Sequence, residues 1–450
     1  METNDLPEGT VEWLAEAGGG RVTHLERHVA RREAWVVDLE RPDGSVRQCF
    51  LRLERQPMDD DPWSLGKETR IIAALAGTSV PVPEVFARSE RPSLTLFERV
   101  PGRADLPAVG ADQQRAVMTE FMEIMASLHV LDLDGLDLAE LPRPATAQEC
   151  ALGEVELILD RWRSFLTDYH DPLITFGLRW LRRHVPQSPV RVSLLQGDTG
   201  PGNFLFEGDH VTAVIDWEWG HLGDPMEDLG NICVREFWNP SGGLSGLFTL
   251  YQDRSGIEYR RDAVRYYRVQ QNVRGMIPIH AVTLHPHPEE SLAWYLAYRY
   301  VGDRATCEAI ADAMGLVVDG PDLPDEREGD TDILLAAAQW ALSHDVAPRV
   351  REAFAQSRLH DAELLLACAE RRRRFGTELA ALELDDLAGL LGRRPASLGA
   401  GLTELDAKIG DGQLPDELAL SYLTRRALRD EWLWAPAASL YPGRRWADLD

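Results

Sequence analysis

Three oxygen-bearing side chains lie within a short stretch in the middle of the sequence. Asp198 and Asn203 stand five positions apart in a loop rich in glycine and proline, and Asp216 follows an apolar run at 211–215. Phosphoryl transfer needs one group that accepts or orients a hydroxyl proton, and oxygen ligands that hold magnesium on nucleotide phosphates. Two carboxylates and one amide can supply both requirements.

Each of these residues also has a simple structural explanation. Asp and Asn are common turn formers, and an Asp after a strand is commonly a cap. Their order and spacing favour the chemical interpretation, because Asp-x-x-x-x-Asn is the spacing of a kinase catalytic loop. The glycines at 197, 200 and 202 indicate a tight loop, in which both side chains can turn toward one point.

The elements around this loop are predicted to be short strands. The apolar runs 193–195, 204–206 and 211–215 form a β-rich island between segments with helical spacing at 154–169 and 176–184. A strand pair framed by helices is a frequent place for a functional loop.

The same segment resembles a known family. Gln196-Gly197-Asp198 to Asn203, then Ile215-Asp216-Trp217, then the run 223–229 resemble the signature of the aminoglycoside phosphotransferase and choline kinase-like superfamily. The resemblance extends over about residues 11–316, and its closest subgroup contains phosphotransferases associated with acyl-CoA dehydrogenases. It implies an α+β, protein-kinase-like fold with a β-rich N-lobe and a mostly helical C-lobe.

The resemblance also implies roles for individual residues. Asp198 is expected to be the catalytic base, with Asn203 and Asp216 as magnesium ligands. Asp224 and Asp228 are expected to order the loop. Gln196 stands where the family usually has histidine; it keeps the hydrogen-bonding capacity without titrating near neutral pH, so it should support the loop as well.

Nucleotide contacts are expected in the first hundred residues. Arg52 occupies the place of the family's strand lysine and Glu68 that of its helical ion-pair partner. Arginine holds phosphate by a fork rather than by a point charge, so the role remains feasible with altered geometry. A surface pair on an amphipathic strand and helix is the structural alternative.

Two further nucleotide contacts follow from the resemblance. The loop before the strand at 34 contains no glycine, so its grip on phosphates is expected to come from Arg31 or Arg32. Glu98 and Val100 correspond to the hinge whose backbone meets adenine.

The acceptor of the phosphoryl group is less defined. The candidate substrate contacts lie near the catalytic strand or at a helix end, although core packing or surface capping also explains them: Glu218, Trp219, Trp238 and His129. An aminoglycoside-like antibiotic or a hydroxylated metabolite such as a hydroxyacyl compound fits the class, with ATP and Mg²⁺ as cofactors. A non-catalytic nucleotide-binding scaffold or sensor with the same fold is the alternative.

The pattern along the chain divides it into four parts. Residues 1–100 are predicted to form the N-lobe, with strands at 34–39 and 48–53 joined by a hairpin turn at 41–45, a further strand at 93–98 and a helix at 63–76. The C-lobe is predicted at 101–316, with a helix at 111–130, and a linker rich in Gly, Pro and acidic residues is predicted at 317–332. Residues 333–450 show helical spacing only, which predicts an all-α C-terminal domain.

Composition excludes several classes of partner. Seventy-four acidic residues against 47 basic ones give a net charge of −27, which disfavours nucleic acid and anionic membranes. The charge either steers a cationic substrate or serves solubility alone. The 5 cysteines form no C-x-x-C pair, no segment has the length and apolarity of a membrane span, and no signal peptide is evident. A soluble, cytoplasmic protein is expected, and its oligomeric state is left open.

Overall fold

The computed structural model describes residues 6–28, 33–54, 61–187, 191–287, 290–326 and 332–449. Its strands are β1 Arg21–His28, β2 Ala34–Glu40, β3 Val46–Glu54, β4 Val85–Glu90, β5 Ser93–Glu98, β6 Ser193–Leu195, β7 Phe204–Glu207, β8 His210–Val214 and β9 His221–Gly223. Its α-helices are α1 Thr10–Gly18, α2 Leu65–Leu75, α3 Ala111–His129, α4 Ala147–Arg161, α5 Arg163–Asp168, α6 Pro172–Arg183, α7 Pro225–Trp238, α8 Leu247–Ser255, α9 Arg261–Leu284, α10 Leu292–Met314, α11 Ile333–Trp340, α12 Ala353–Leu391, α13 Leu398–Gly410, α14 Asp416–Leu433 and α15 Ala435–Ala438.

The N-terminal strands form an antiparallel sheet of five strands in the order β1-β2-β3-β5-β4. Alternate side chains of β2, at Trp35, Val37 and Leu39, are buried in a core that also contains Leu14 of α1. The β2–β3 hairpin closes where sequence predicted it, since the Arg41 N–H donates to the Ser45 carbonyl at 2.8 Å.

The predicted fold class, a β-rich N-terminal part with a mostly helical remainder, is therefore confirmed. The predicted helices at 63–76 and 111–130 correspond to α2 and α3 within two residues. The helix expected at 154–169 is instead interrupted between α4 and α5, because Trp162 leaves helical geometry with φ −101° and ψ 15°.

Contacts divide the chain into two compact units. The first unit contains Met1–Cys150, Gln187–Val264 and Ala447–Asp450, and the second contains Ala151–Pro186 and Arg265–Trp446. Helices α11 to α15 follow the predicted linker, as the helical spacing of that part indicates. The boundaries placed at 100, 316 and 332 from sequence stay predictions.

The second unit contains a cluster of charged side chains around Arg426 of α14. Its guanidinium lies 3.4 Å from Asp171, 3.3 Å from Glu383 and 3.9 Å from Asp430. Burial raises the pKa of Asp430 to about 7; Arg426 opposes this shift and Glu383 adds to it. The Asp430 carboxyl therefore titrates near neutral pH.

Candidate active site

The loop that carries Asp198 connects β6 to β7 in the first unit. Positive φ angles at Gly197 (83°), Gly200 (136°) and Gly202 (97°) give it its tight path. At position 197 a side chain has no room, since a Cβ there would collide with the Trp219 carbonyl oxygen. Glycine is required at that point because two backbone segments approach each other closely.

Asp198 and Asn203 are joined directly by side-chain hydrogen bonds. The Asn203 Nδ2 amide donates to Asp198 Oδ2 at 2.8 Å and to the Asp198 carbonyl at 2.7 Å. Asn203 is buried, whereas the Asp198 side chain is 35% exposed. The amide nitrogen faces Asp198, so the Asn203 Oδ1 oxygen is the atom of this side chain that suits a metal ion.

Asp216 is held in an unusual backbone conformation just after β8. Among the described residues it is the only non-glycine residue with a positive φ, at φ 59° and ψ 57°. The left-handed conformation costs a non-glycine residue about 1–2 kcal/mol. Such outliers cluster at functional sites, where the surrounding structure maintains them.

Gln196 connects the loop to the Asp216 segment. Its Nε2 donates to the carbonyls of Ile215 at 3.0 Å and Asp216 at 2.8 Å. Its Oε1 accepts from the Asp198 N–H at 2.8 Å and lies 3.2 Å from the Thr199 hydroxyl oxygen. One fully buried neutral side chain therefore ties together the two segments that carry the predicted base and metal ligand.

Asp228, on the first turns of α7, holds the other side of the same loop. Its carboxylate accepts from the backbone N–H of Gln196 at 2.9 Å and of Gly197 at 3.0 Å, and from the Thr199 hydroxyl at 2.5 Å. His129 Nε2 lies 3.1 Å away. Burial acts to raise the pKa of Asp228, but His129, Thr199 and the loop amide hold it below its ordinary value.

His129 belongs to this network rather than to an exposed surface. It is fully buried, and its Nδ1 lies 2.8 Å from the Tyr251 hydroxyl. Asp224, the second aspartate predicted to order the loop, has different partners. It caps α7 by accepting from the Met226 N–H at 3.1 Å, and it pairs with Arg260 at 2.6 Å. Burial raises the pKa of Asp224 despite that arginine.

In the N-terminal sheet, Arg52 of β3 and Glu68 of α2 form a two-contact ion pair. Arg52 Nη2 lies 3.3 Å from Glu68 Oε2, and Nη1 lies 3.5 Å from Oε1. The Glu68 side chain is 2% exposed and that of Arg52 15%. The pairing that the family resemblance implied is present.

Of the four remaining predicted nucleotide contacts, two lie within the described residues. Glu98 is the last residue of β5, and its N–H donates to the Glu84 carbonyl at 2.8 Å. Val100 follows two residues later, outside the strand. Arg31 and Arg32 lie outside the described residues.

Of the predicted substrate contacts, Trp219 lies beside the loop that carries Asp198. Its ring packs on Trp63 with centroids 4.9 Å apart, and its carbonyl faces Gly197. Glu218 is buried beside it. Trp238 ends α7, with its ring edge-to-face against Phe237.

Sequence reasoning overlooked Arg235 on α7. Its Nε lies 3.8 Å from Asp198 Oδ1. The available signal was the helical spacing, because residues 228 and 235 are seven positions apart and so share one face of α7.

Two of the predicted site residues carry oxygen atoms of the kind that magnesium prefers as ligands. Among the described residues, no group of three or more His, Cys, Asp or Glu side chains has the arrangement of a metal site. Asn203 and Asp216 would provide two protein oxygens, and magnesium commonly completes its shell with water and substrate phosphates. No helix within the described residues is long and apolar enough to cross a membrane.

Comparison with known proteins gives a match to one family model. Residues 32–274, just over half of the chain, match the model described as "Phosphotransferase enzyme family".

Individual relatives are more distant. Acyl-CoA dehydrogenase family member 10 of Mus musculus is 29% identical over 182 residues, which are 38% of this chain and 17% of the mouse protein. Hygromycin-B 4-O-kinase of Escherichia coli is 24% identical over 198 residues, which are 42% of this chain and 57% of that kinase. The chain therefore covers a minor part of the mouse relative.

One solved structure illustrates the structural likeness. It is a thermostable mutant of aminoglycoside phosphotransferase APH(4)-Ia in the apo form, with 18% identity and a TM-score of 0.49. The match covers 68% of this chain and 98% of that structure.

Proposed function

The chain belongs to the phosphotransferase enzyme family, and we propose that it transfers the γ-phosphoryl group of ATP, with magnesium, to a hydroxyl of a small molecule. The observation that carries the proposal is the joint support of Asp198, Asn203 and Asp216. Gln196 bonds to the segments of both aspartates, and Asn203 bonds to Asp198 itself.

Asp198 is the proposed base. Its carboxylate is partly exposed, while its backbone N–H and one carboxylate oxygen are held by buried amides. A carboxylate fixed in this way can accept the hydrogen bond of an acceptor hydroxyl and then its proton. Fixing the orientation in advance lowers the entropic part of the barrier.

Asn203 and Asp216 are the residues that would hold magnesium. The ion, when bound, supplies positive charge that offsets the charge of the phosphates during transfer. Asp216 lies just after β8 in a left-handed backbone conformation, and Gln196 Nε2 donates to its backbone carbonyl. Gln196 and Asp228 keep the loop ordered, with Asp224 fixing the start of α7.

The nucleotide would be held mainly from the N-terminal sheet. Arg52 can present a fork to phosphate oxygens while Glu68 fixes its orientation. Backbone groups at Glu98 and Val100 are the proposed adenine contacts, and Arg31 and Arg32 are proposed to add phosphate contacts.

The acceptor is proposed only as a class. Hygromycin-B kinase and the acyl-CoA dehydrogenase relatives suggest two kinds of hydroxyl compound, an aminoglycoside-like antibiotic and a hydroxylated metabolite such as a hydroxyacyl compound. Glu218, Trp219 and Trp238 are the proposed acceptor contacts. The five buried thiols accord with a reducing compartment, and we place the reaction in the cytoplasm.

The test is ADP release from ATP and magnesium, measured against a panel of antibiotics and hydroxylated metabolites. Asp198→Asn keeps the size of the side chain and removes its basicity, so we expect a loss of about 100- to 10,000-fold in kcat. The thermal shift produced by ATP and magnesium should persist. An Asp198→Asn variant with the activity of the parent would refute the proposal.

A further inference from the structure

One face of α7 runs along the whole catalytic loop. Asp228, Ile232 and Arg235 lie at positions i, i+4 and i+7, which places them on the same side of a helix. Asp228 bonds to the amides at the start of the loop. A Cβ built on Gly200 would lie 3.5 Å from the Ile232 Cα and 2.7 Å from the Arg235 Cβ.

The loop glycines therefore leave the space that the Arg235 side chain occupies. A Cβ on Gly202 would also lie 3.2 Å from Arg235 Nη2. The aliphatic part of the Arg235 side chain passes over Gly200, and its guanidinium group lies beside Gly202. This path ends beside Asp198, with Nε 3.8 Å from Oδ1.

The Arg235 Nε group is inaccessible to solvent and has no hydrogen-bond partner among the described residues. The side chain as a whole is 22% exposed. A buried N–H without an acceptor is unfavourable, so a small movement toward an acceptor lowers the energy. Asp198 Oδ1, 3.8 Å away, is close enough to become that acceptor. It is also available, because Asn203 binds the other carboxylate oxygen, Oδ2.

We propose that Arg235 is a positioning residue for Asp198, an inference that rests on the proposed function. The Arg235 guanidinium closes on Oδ1 when ATP, magnesium and acceptor bind, while Asn203 keeps Oδ2. Two donors from two different elements then fix the plane of the carboxylate. Catalytic hydrogen bonds are often long in free enzymes and shorten in the substrate complex.

The test compares Arg235→Gln and Arg235→Lys in the full chain, with Arg254→Gln as a matched control. Arg254 pairs with Glu123 on an exposed part of the first unit, with 59% of its side chain exposed. The probe is ATP with magnesium and water as the acceptor, followed by ADP release, and Asp198→Ala sets the background. Thermal unfolding is recorded for every variant.

We expect Arg235→Gln to lower kcat by about 10- to 100-fold, the effect of a lost hydrogen bond to a charged group. Its KM for ATP should change less than about twofold and its unfolding temperature should stay near that of the parent. Arg235→Lys should recover part of kcat, because it keeps the charge. Added guanidinium ion should raise the kcat of Arg235→Ala without affecting Arg254→Ala.

Three other outcomes would contradict the inference, and the measurements distinguish them from one another. If Arg235→Gln has the kcat of the parent while Asp198→Ala is inactive, the proposed function stands and the role of Arg235 is wrong. An unfolding temperature that falls as much in Arg235→Lys as in Arg235→Gln, with no recovery of kcat, indicates packing alone. ADP release by Asp198→Ala equal to that of the parent refutes the proposed function and the inference together.

Discussion

Replacing Asp228 by asparagine isolates the effect of its negative charge on the loop that carries Asp198. The two side chains have nearly the same size, so the change leaves packing intact. Asparagine presents one oxygen and one NH₂ group where Asp228 presents two acceptors to Gln196, Gly197, Thr199 and His129. In either orientation of the amide, one of the two loop N–H groups faces a donor.

The size of the effect follows from these contacts. A buried N–H that loses its acceptor costs about 1–3 kcal/mol, and the remaining bonds lose the strength that a charged acceptor gives. We therefore expect the local opening free energy of the loop to fall by about 2–4 kcal/mol in Asp228→Asn. At about 1.4 kcal/mol per factor of ten, this corresponds to about 30- to 1000-fold faster exchange.

The assay is hydrogen–deuterium exchange of the amides at Gln196 and Gly197. Asp209→Asn, which makes the same change in the exposed β7–β8 turn, is the control and should be within about 0.5 kcal/mol of the parent. Because the pKa of Asp228 is lowered, its carboxylate stays ionised from pH 8 down to pH 5. The penalty should therefore be equal at both pH values. Exchange less than about threefold faster in Asp228→Asn, or a penalty that disappears at pH 5, would refute the reasoning.

Two further predictions concern the nucleotide site and the second unit. Arg52→Gln should raise the KM for ATP about 10-fold, because it removes a phosphate contact and the cation that pairs with the buried Glu68. The exposed control Arg21→Gln should leave the KM unchanged, and equal KM values for the two variants from initial rates would contradict the prediction. The folded protein keeps a proton on Asp430 up to a pKa of about 7, whereas the unfolded chain loses it above its ordinary value of 3.8. This stabilisation is complete below about pH 4 and is lost as pH rises through 7. The unfolding free energy of the parent should therefore decline between pH 5 and 7, and Asp430→Asn should reduce that decline by about 1–2 kcal/mol. The figure allows for solvent screening, because the Asp430 side chain is 31% exposed. Urea unfolding at both pH values measures it, and an unchanged slope would contradict it.

The predictions from sequence succeeded mainly where the determining contacts are local. The tight loop from Gly197 to Asn203 follows from its glycines and proline, whose backbone preferences act within a few residues. The β2–β3 hairpin follows from the turn that begins at Arg41 for the same reason. The Arg52–Glu68 pair was expected from the family resemblance rather than from local sequence preferences.

The network behind the loop was only partly accessible. A resemblance indicated that Asp228 orders the loop, but its partner His129 lies 99 residues away in the chain. Tyr251, which bonds to His129, lies 122 residues from that histidine. The spacing of α3 indicates that His129 can be buried and does not indicate what it meets. The expected continuous helix at 154–169 was wrong because a single residue, Trp162, departs from helical geometry.

The sequence by itself determined the order of the elements, the chemical groups of the site and the loop that holds Asp198 and Asn203. The tertiary structure alone decided that Gln196 bridges to Asp216, that Arg235 reaches Asp198, and that residues 151–186 form a compact unit with 265–446. Periodicity and turn preferences depend on residues that are close together in the sequence, so they indicate which side of an element is buried and where the chain turns. Which distant group fills the opposite side depends on packing and directional hydrogen bonds that exist only in the folded chain.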